Sequence, residues 1–70
     1  SPRHWLSISV FAHTAEAADA LSTALAVMPY EQAVDLATTL GDIAVIGEDG
    51  AGRIRRFGDL RLAGLGGAGA

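Results

Sequence analysis

His13-Thr14-Ala15-Glu16-Ala17-Ala18-Asp19-Ala20-Leu21-Ser22-Thr23-Ala24-Leu25-Ala26-Val27-Met28 is the stretch on which the reading of this chain turns. Alanine and leucine head the helix-propensity scale and neither Gly nor Pro interrupts the run, so residues 13 to 28 are expected to be helical. Thr14 suits the N-cap, where its hydroxyl can accept from a first-turn N–H, and Glu16 just inside is stabilised by the positive end of the helix dipole. Ala17, Leu21, Ala24, Leu25 and Met28 recur at helical spacing and make one apolar stripe, expected to face the core. Asp19 and Thr23 are four residues apart and stand one turn from each other on a different face. By spacing alone the pair reads as a solvated face ahead of a small oxygen-donor site, because a polar pair one turn apart is a weak signal. Its neighbours Ala18, Ala20, Ser22 and Ala24 leave little bulk beside the oxygens, so another backbone or a phosphate has room to approach.

Upstream, Trp5 to Phe11 alternates with the period of a strand, Leu6, Ile8 and Val10 on one face and Trp5, Ser7, Ser9 and Phe11 on the other. Downstream, Pro29 closes the first helix and suits the start of a second. Tyr30 to Leu40 carries Ala33, Leu36, Ala37 and Leu40 on one stripe, with Gly41 as a left-handed stop. Asp35 and Thr39 in this second helix repeat the Asp/Thr spacing, an internal control showing that spacing alone does not define a site. Ile43 to Ile46 reads as a buried strand, Glu48 to Gly52 as a turn, and Arg53 to Phe57 as the returning strand of a hairpin. Arg53 and Arg55 suit a strand edge guarded by charge better than an anion site. The fold class is therefore α+β, in the order strand-helix-helix-strand-strand. From Gly58 onward periodicity is lost, and 58–70 is expected to be a Gly/Ala-rich flexible tail. Gly64 to Gly69 matches G-x-G-x-x-G in form, but a dinucleotide fingerprint must follow a strand and open a helix, which this one does not.

Seventy residues with no Cys bound the chain to at most one small domain without disulfides or structural zinc. Fourteen Ala and nine Gly make up a third of it, and only Trp5, Phe11, Tyr30 and Phe57 are aromatic, so the core is thinly supplied. More chain, or another copy, is expected to complete it. The net charge of −3 and the lack of a basic run beyond Arg53, Arg55 and Arg56 argue against nucleic acid as a partner. No apolar run approaches the ~18 to 20 residues of a membrane span, and the chain is expected to be soluble. His13, at the strand-to-helix junction, has the chemistry of a general base, although a loop residue preceding an N-cap is the simpler explanation.

The stretch Ala18-Asp19-Ala20-Leu21-Ser22-Thr23-Ala24 resembles the C-terminal signature of the ApbE family of flavin transferases, Mg-dependent enzymes that move FMN from FAD onto a Ser or Thr of a target protein. The strand before it, Pro29 and Glu31 after it, and the apolar strand running into Asp49-Gly50 follow that family's order, so the resemblance covers about residues 5 to 57. It implies that 1–57 are the C-terminal segment of such a domain and that Asp19 and Thr23 are ligands of Mg²⁺, with FAD as substrate. The partners it implies are the remainder of the flavin transferase domain, in the same or a separate chain, and a target flavoprotein subunit. The family's upstream motif and flavin-binding regions are not in this stretch, so the segment alone is expected to be inactive. It also gives no support to His13 as a base. Exported, membrane-anchored or periplasmic placement is the family's habit, with the cytoplasm as alternative. A non-catalytic interaction or assembly module, or a degenerate family member that binds flavin without transferring it, are the competing readings.

Overall fold

A computed structural model describes residues 4–64 of the 70. Its elements run β1 (Trp5–Ala12), α1 (Ala15–Ala26), α2 (Tyr30–Leu40), β2 (Ile43–Asp49) and β3 (Ile54–Gly58), followed by a 3₁₀ turn, Leu60–Ala63. The strands form one antiparallel sheet in the order β1-β2-β3, so the expected α+β class and element order are those of the molecule. Both helices lie on one sheet face, α1 against β1 and α2 against β2 and β3. Thr14 caps α1, its Oγ1 accepting from the Ala17 N–H at 3.1 Å. Gly41, at φ 88°, ends α2 with its N–H donated to the Ala37 carbonyl.

The core consists of Trp5, Leu25, Ala33, Ala37, Ile43, Val45 and Phe57, with Leu21, Met28 and Leu36 packed against it. The α1 stripe therefore faces inward as the spacing requires. In α2 the stripe is shorter than expected: Ala33 and Ala37 are buried, whereas Leu40 is 48% exposed. β1 departs from simple alternation. Trp5 pairs with Asp49 and Ser7 with Glu48, so two residues of β1 face one of β2. A bulge of this kind reverses the facing of whatever precedes it. Trp5 joins Ile8 and Val10 on the helix face, and Leu6 is left 51% exposed.

Trp5 is held on every side. Its Nε1 donates to the Met28 carbonyl at 2.8 Å, tying the start of β1 to the link between the helices. Tyr30 and Phe57 stand at centroid distances of 6.3 and 6.1 Å, within the range of favourable tilted aromatic pairs. Beneath its ring lies Gly47, where a Cβ would come within 2.9 Å of two ring carbons and 3.0 Å of the Ser7 carbonyl oxygen.

Asp49 knots the hairpin. β2 runs on through Glu48 and Asp49, residues expected in the turn, because the buried Asp49 carboxylate has donors waiting for it. Oδ1 accepts from the Ala51 and Arg53 N–H groups, both at 2.9 Å, and Oδ2 from Arg55 Nε at 3.0 Å. Arg53 Nε lies 3.4 Å from Oδ2, and the Arg55 guanidinium sits 4.5 Å from the centre of the Tyr30 ring. Arg53 and Arg55 thus answer an internal carboxylate. Beyond position 57 the chain is still built: Gly58 ends β3 at φ 87°, where a Cβ would collide with the Ile43 carbonyl, and the Asp59 N–H donates to that carbonyl at 2.7 Å. The 3₁₀ turn then packs back on β2 and β1. Positions 65–70 of the expected tail, and with them most of the Gly64 to Gly69 pattern, lie outside the described residues.

Two measurements test this frame. Gly47→Ala should destabilise the fold by about 1–3 kcal/mol through overpacking, lowering the urea midpoint and red-shifting the emission of Trp5, the one tryptophan. An unchanged midpoint and spectrum would place the indole elsewhere. The Asp49 carboxyl is held at about 2, below its ordinary 3.8, by the Arg53 N–H first and the Arg55 side chain second, against the opposing effect of burial. Since the folded value is the lower one, this contribution is full above about pH 4 and is lost as pH falls towards about 2. Urea midpoints of wild type and Asp49→Asn should therefore converge as pH falls through that window; a constant gap would sink the assignment.

Candidate functional site

α1 divides the surface around it into two regions of different chemistry. On its solvent side stand Asp19 and Thr23, both exposed. The Thr23 hydroxyl donates to the Asp19 carbonyl at 3.2 Å, and Ser22 Oγ donates to the same oxygen at 2.9 Å. Back-bonding of this sort is a habit of Ser and Thr within helices, and it fixes the direction of the hydroxyl proton. With its proton turned to the backbone, Thr23 Oγ1 keeps its lone pairs outward. Among the described residues the Asp35 and Thr39 pair of α2 has no counterpart to this bond, although both residues are likewise exposed. The Asp19 carboxylate has no hydrogen-bond or ion-pair partner among the described residues.

Carboxylate and hydroxyl oxygens are the donors a hard cation selects, and Mg²⁺ is commonly held by one or two carboxylates together with waters and substrate phosphates. The pair fits such an ion as part of a site. Among the described residues no group of three or more His, Cys, Asp or Glu could hold a metal by itself. Waters or substrate phosphates are the usual further ligands of such an ion.

On the sheet-facing side, an open cleft of about 270 Å³ is lined by Ala12, His13, Thr14, Ala17, Leu21, Leu40, Asp42 and Ile43. Two polar side chains meet at its rim. The β1–β2 ladder ends with Ala12 opposite Ile43, and one further step sets His13 beside Asp42, with Nε2 4.0 Å from Oδ1. Both side chains are exposed. The charge of His13 also contributes, after the larger effect of the Arg61 side chain, to holding the Asp59 carboxyl below the usual carboxylate range. Asp42 carries no signal in the sequence, since only the strand register brings it to His13. Asp19 and Thr23 are each two residues on from the cleft residues Ala17 and Leu21, about 200° around the helix. The structure therefore does not bring His13 together with the Asp19 and Thr23 pair.

Neither a search of curated proteins nor one of solved structures returns a match to the chain. The sequence model of the ApbE family matches residues 1–47 of the 70, a span that takes in β1, both helices and β2 as far as Gly47, and with them Asp19 and Thr23. A family model matched over more than half of the sequence shows the kinship: the chain belongs to the ApbE family, whose members handle FAD and FMN.

Proposed function

We propose that this chain is the C-terminal part of a flavin transferase that moves FMN from FAD to a Ser or Thr hydroxyl of a target protein, with Asp19 and Thr23 as its contribution to a Mg²⁺ site. The observation that carries the reading is the solvent-facing pair, one carboxylate with no partner among the described residues and one hydroxyl whose proton is already committed to the Asp19 carbonyl, lying inside the family match. When bound, Mg²⁺ would neutralise phosphate charge and stabilise the leaving group of a phosphoryl transfer. Asp19 supplies the anionic ligand. Thr23 supplies a neutral one, held in place by its backbone bond. Ala18, Ala20 and Ala24 keep the approach open to a pyrophosphate. In the reaction the acceptor oxygen attacks the FMN phosphorus, the bond to the AMP oxygen breaks, AMP leaves with that oxygen and the bonding electrons, and the acceptor hydroxyl's proton passes to solvent water. The cleft at His13, about 270 Å³, falls below the ~300 Å³ lower end of small-molecule pockets, and in this reading the flavin is enclosed with residues of the rest of the transferase.

The test uses the complete protein. Asp19→Asn should lower Mg-dependent FMN transfer roughly 100-fold or more, because losses beyond the first coordination shell already cost 10–100-fold. Asp35→Asn, with the same spacing to Thr39 on α2, should leave the rate unchanged. Equal behaviour of the two variants would leave the interaction-module reading in possession. Thr23→Val keeps the branched shape and should raise the Mg²⁺ concentration for half-maximal transfer about 10-fold, with recovery at excess metal. Superimposable Mg²⁺ titrations would remove Thr23 from the site.

A further inference from the structure

Asp49-Gly50 is the one Asp-Gly step in the sequence, and the chain contains no Asn. Among aspartyl dipeptides this is the one most prone to spontaneous rearrangement, because a glycine nitrogen carries no neighbouring side chain to hinder its approach to the aspartyl carboxyl. In that rearrangement the Gly50 nitrogen forms a bond to Asp49 Cγ, the Cγ–OH bond breaks, and water leaves with that hydroxyl and the amide proton. A second water then opens the resulting succinimide at either carbonyl. Opening at Cγ restores aspartate. Opening at the main-chain carbonyl gives isoaspartate, with the backbone rerouted through Cβ and Cγ. Water is the only co-reactant, and the net change is an isomerisation.

The fold obstructs each requirement of this reaction. Ring closure needs the Gly50 nitrogen turned to eclipse the Asp49 side chain, whereas Asp49 is the last residue of β2 and its backbone is extended. Turning the peptide plane between the two residues would break a hydrogen bond at each end of it: the Asp49 carbonyl accepts from the Gly52 N–H at 2.9 Å, and the Gly50 N–H donates to the His4 carbonyl at 3.1 Å. The departing hydroxyl must come from a protonated carboxyl. Here Oδ1 is fixed by the Ala51 and Arg53 N–H groups and Oδ2 by Arg55 Nε, all of them donors that favour the ionised form. Glycine is not imposed at position 50 by its own backbone, since the glycines at positive φ among the described residues are Gly41, Gly52, Gly58 and Gly64. Reactive chemistry and a geometry that holds it still therefore meet at one peptide bond.

We propose that Asp49-Gly50 is a latent isoaspartate site, closed while the β2–β3 hairpin is formed and open whenever the hairpin comes apart. Its rate of isomerisation in the native protein then follows the population of the opened hairpin. Isoaspartate adds one carbon to the main chain and carries its carboxylate on the α-carbon, so the Ala51 and Arg53 N–H groups and Arg55 no longer find both oxygens where β2 placed them. A transient opening is thereby converted into a lasting one. The proposal is independent of the transferase reading, because Asp49 lies past the family match at 1–47 and on a different element from Asp19 and Thr23.

The test incubates the complete wild-type protein in one mildly acidic buffer, native and in guanidinium chloride, beside a synthetic peptide of residues 46–55. Isoaspartate at position 49 is read by peptide mapping with electron-transfer fragmentation. Peptide and unfolded protein should isomerise at similar rates, and native protein roughly 100-fold more slowly, a factor set by the cost of opening the hairpin. Native protein that isomerises as fast as the peptide would overturn the proposal, and so would a peptide that does not react. Arg55→Gln withdraws the Oδ2 donor and should speed the native reaction about 10-fold, as expected for losing a hydrogen bond to a charged group, while leaving the rate in denaturant unchanged. A native rate equal to that of wild type would show that the carboxylate contacts do not hold the site closed. Gly50→Ala sets a methyl beside the attacking nitrogen and should slow the reaction in denaturant; an undiminished signal would place the isoaspartate at another residue.

Discussion

The seating of one indole on one glycine organises this structure. Trp5 reaches the helix side of the sheet only because β1 bulges before Ser7, and its ring lies flat there only because Gly47 has no Cβ. From that position its N–H meets the Met28 carbonyl and its faces meet Tyr30 and Phe57. The start of β1, the link between the helices, the first turn of α2 and the end of β3 are thus fastened at one place. Without it, the fully buried contacts of α2 would be Ala33 and Ala37, which offer little apolar area, beside the partly buried Val34 and Leu36.

Much of this was legible in the residues. The N-cap at Thr14, the inward stripe of α1, the stop at Gly41 and the bounds of α2 all depend on short-range chemistry, where a residue's own backbone preference decides the outcome. The features that escaped depend on residues far apart in sequence. Nothing near Trp5 announces a bulge, because the reason for it lies at Gly47. Leu40 fits the helical period yet projects past the end of the sheet into the cleft, so periodicity overstated its burial. Asp49 looked like a turn residue by composition, whereas its partners Arg53 and Arg55 make it the buried centre of the hairpin.

The candidate site was legible in a different way. Two identical Asp/Thr spacings occur on two helices, and spacing could not choose between them. The choice came from the motif around Asp19 and Thr23, and the structure adds a physical difference in the back-bonded Thr23 hydroxyl. His13 and Asp42 illustrate the reverse case, a pair created wholly by strand register and set on the other side of α1.

The alanines that thin the core have another effect. Ordering an alanine side chain costs almost no conformational entropy, against about 0.5–1 kcal/mol for Leu or Ile and up to ~2 for Met. Ala33 and Ala37 are both fully or almost fully buried, and each gives up no rotamer freedom in getting there. A small hydrophobic gain is therefore set against a small entropic loss. How closely α2 approaches the sheet is governed by the shape of the two backbones, with no selection among side-chain rotamers needed at these contacts.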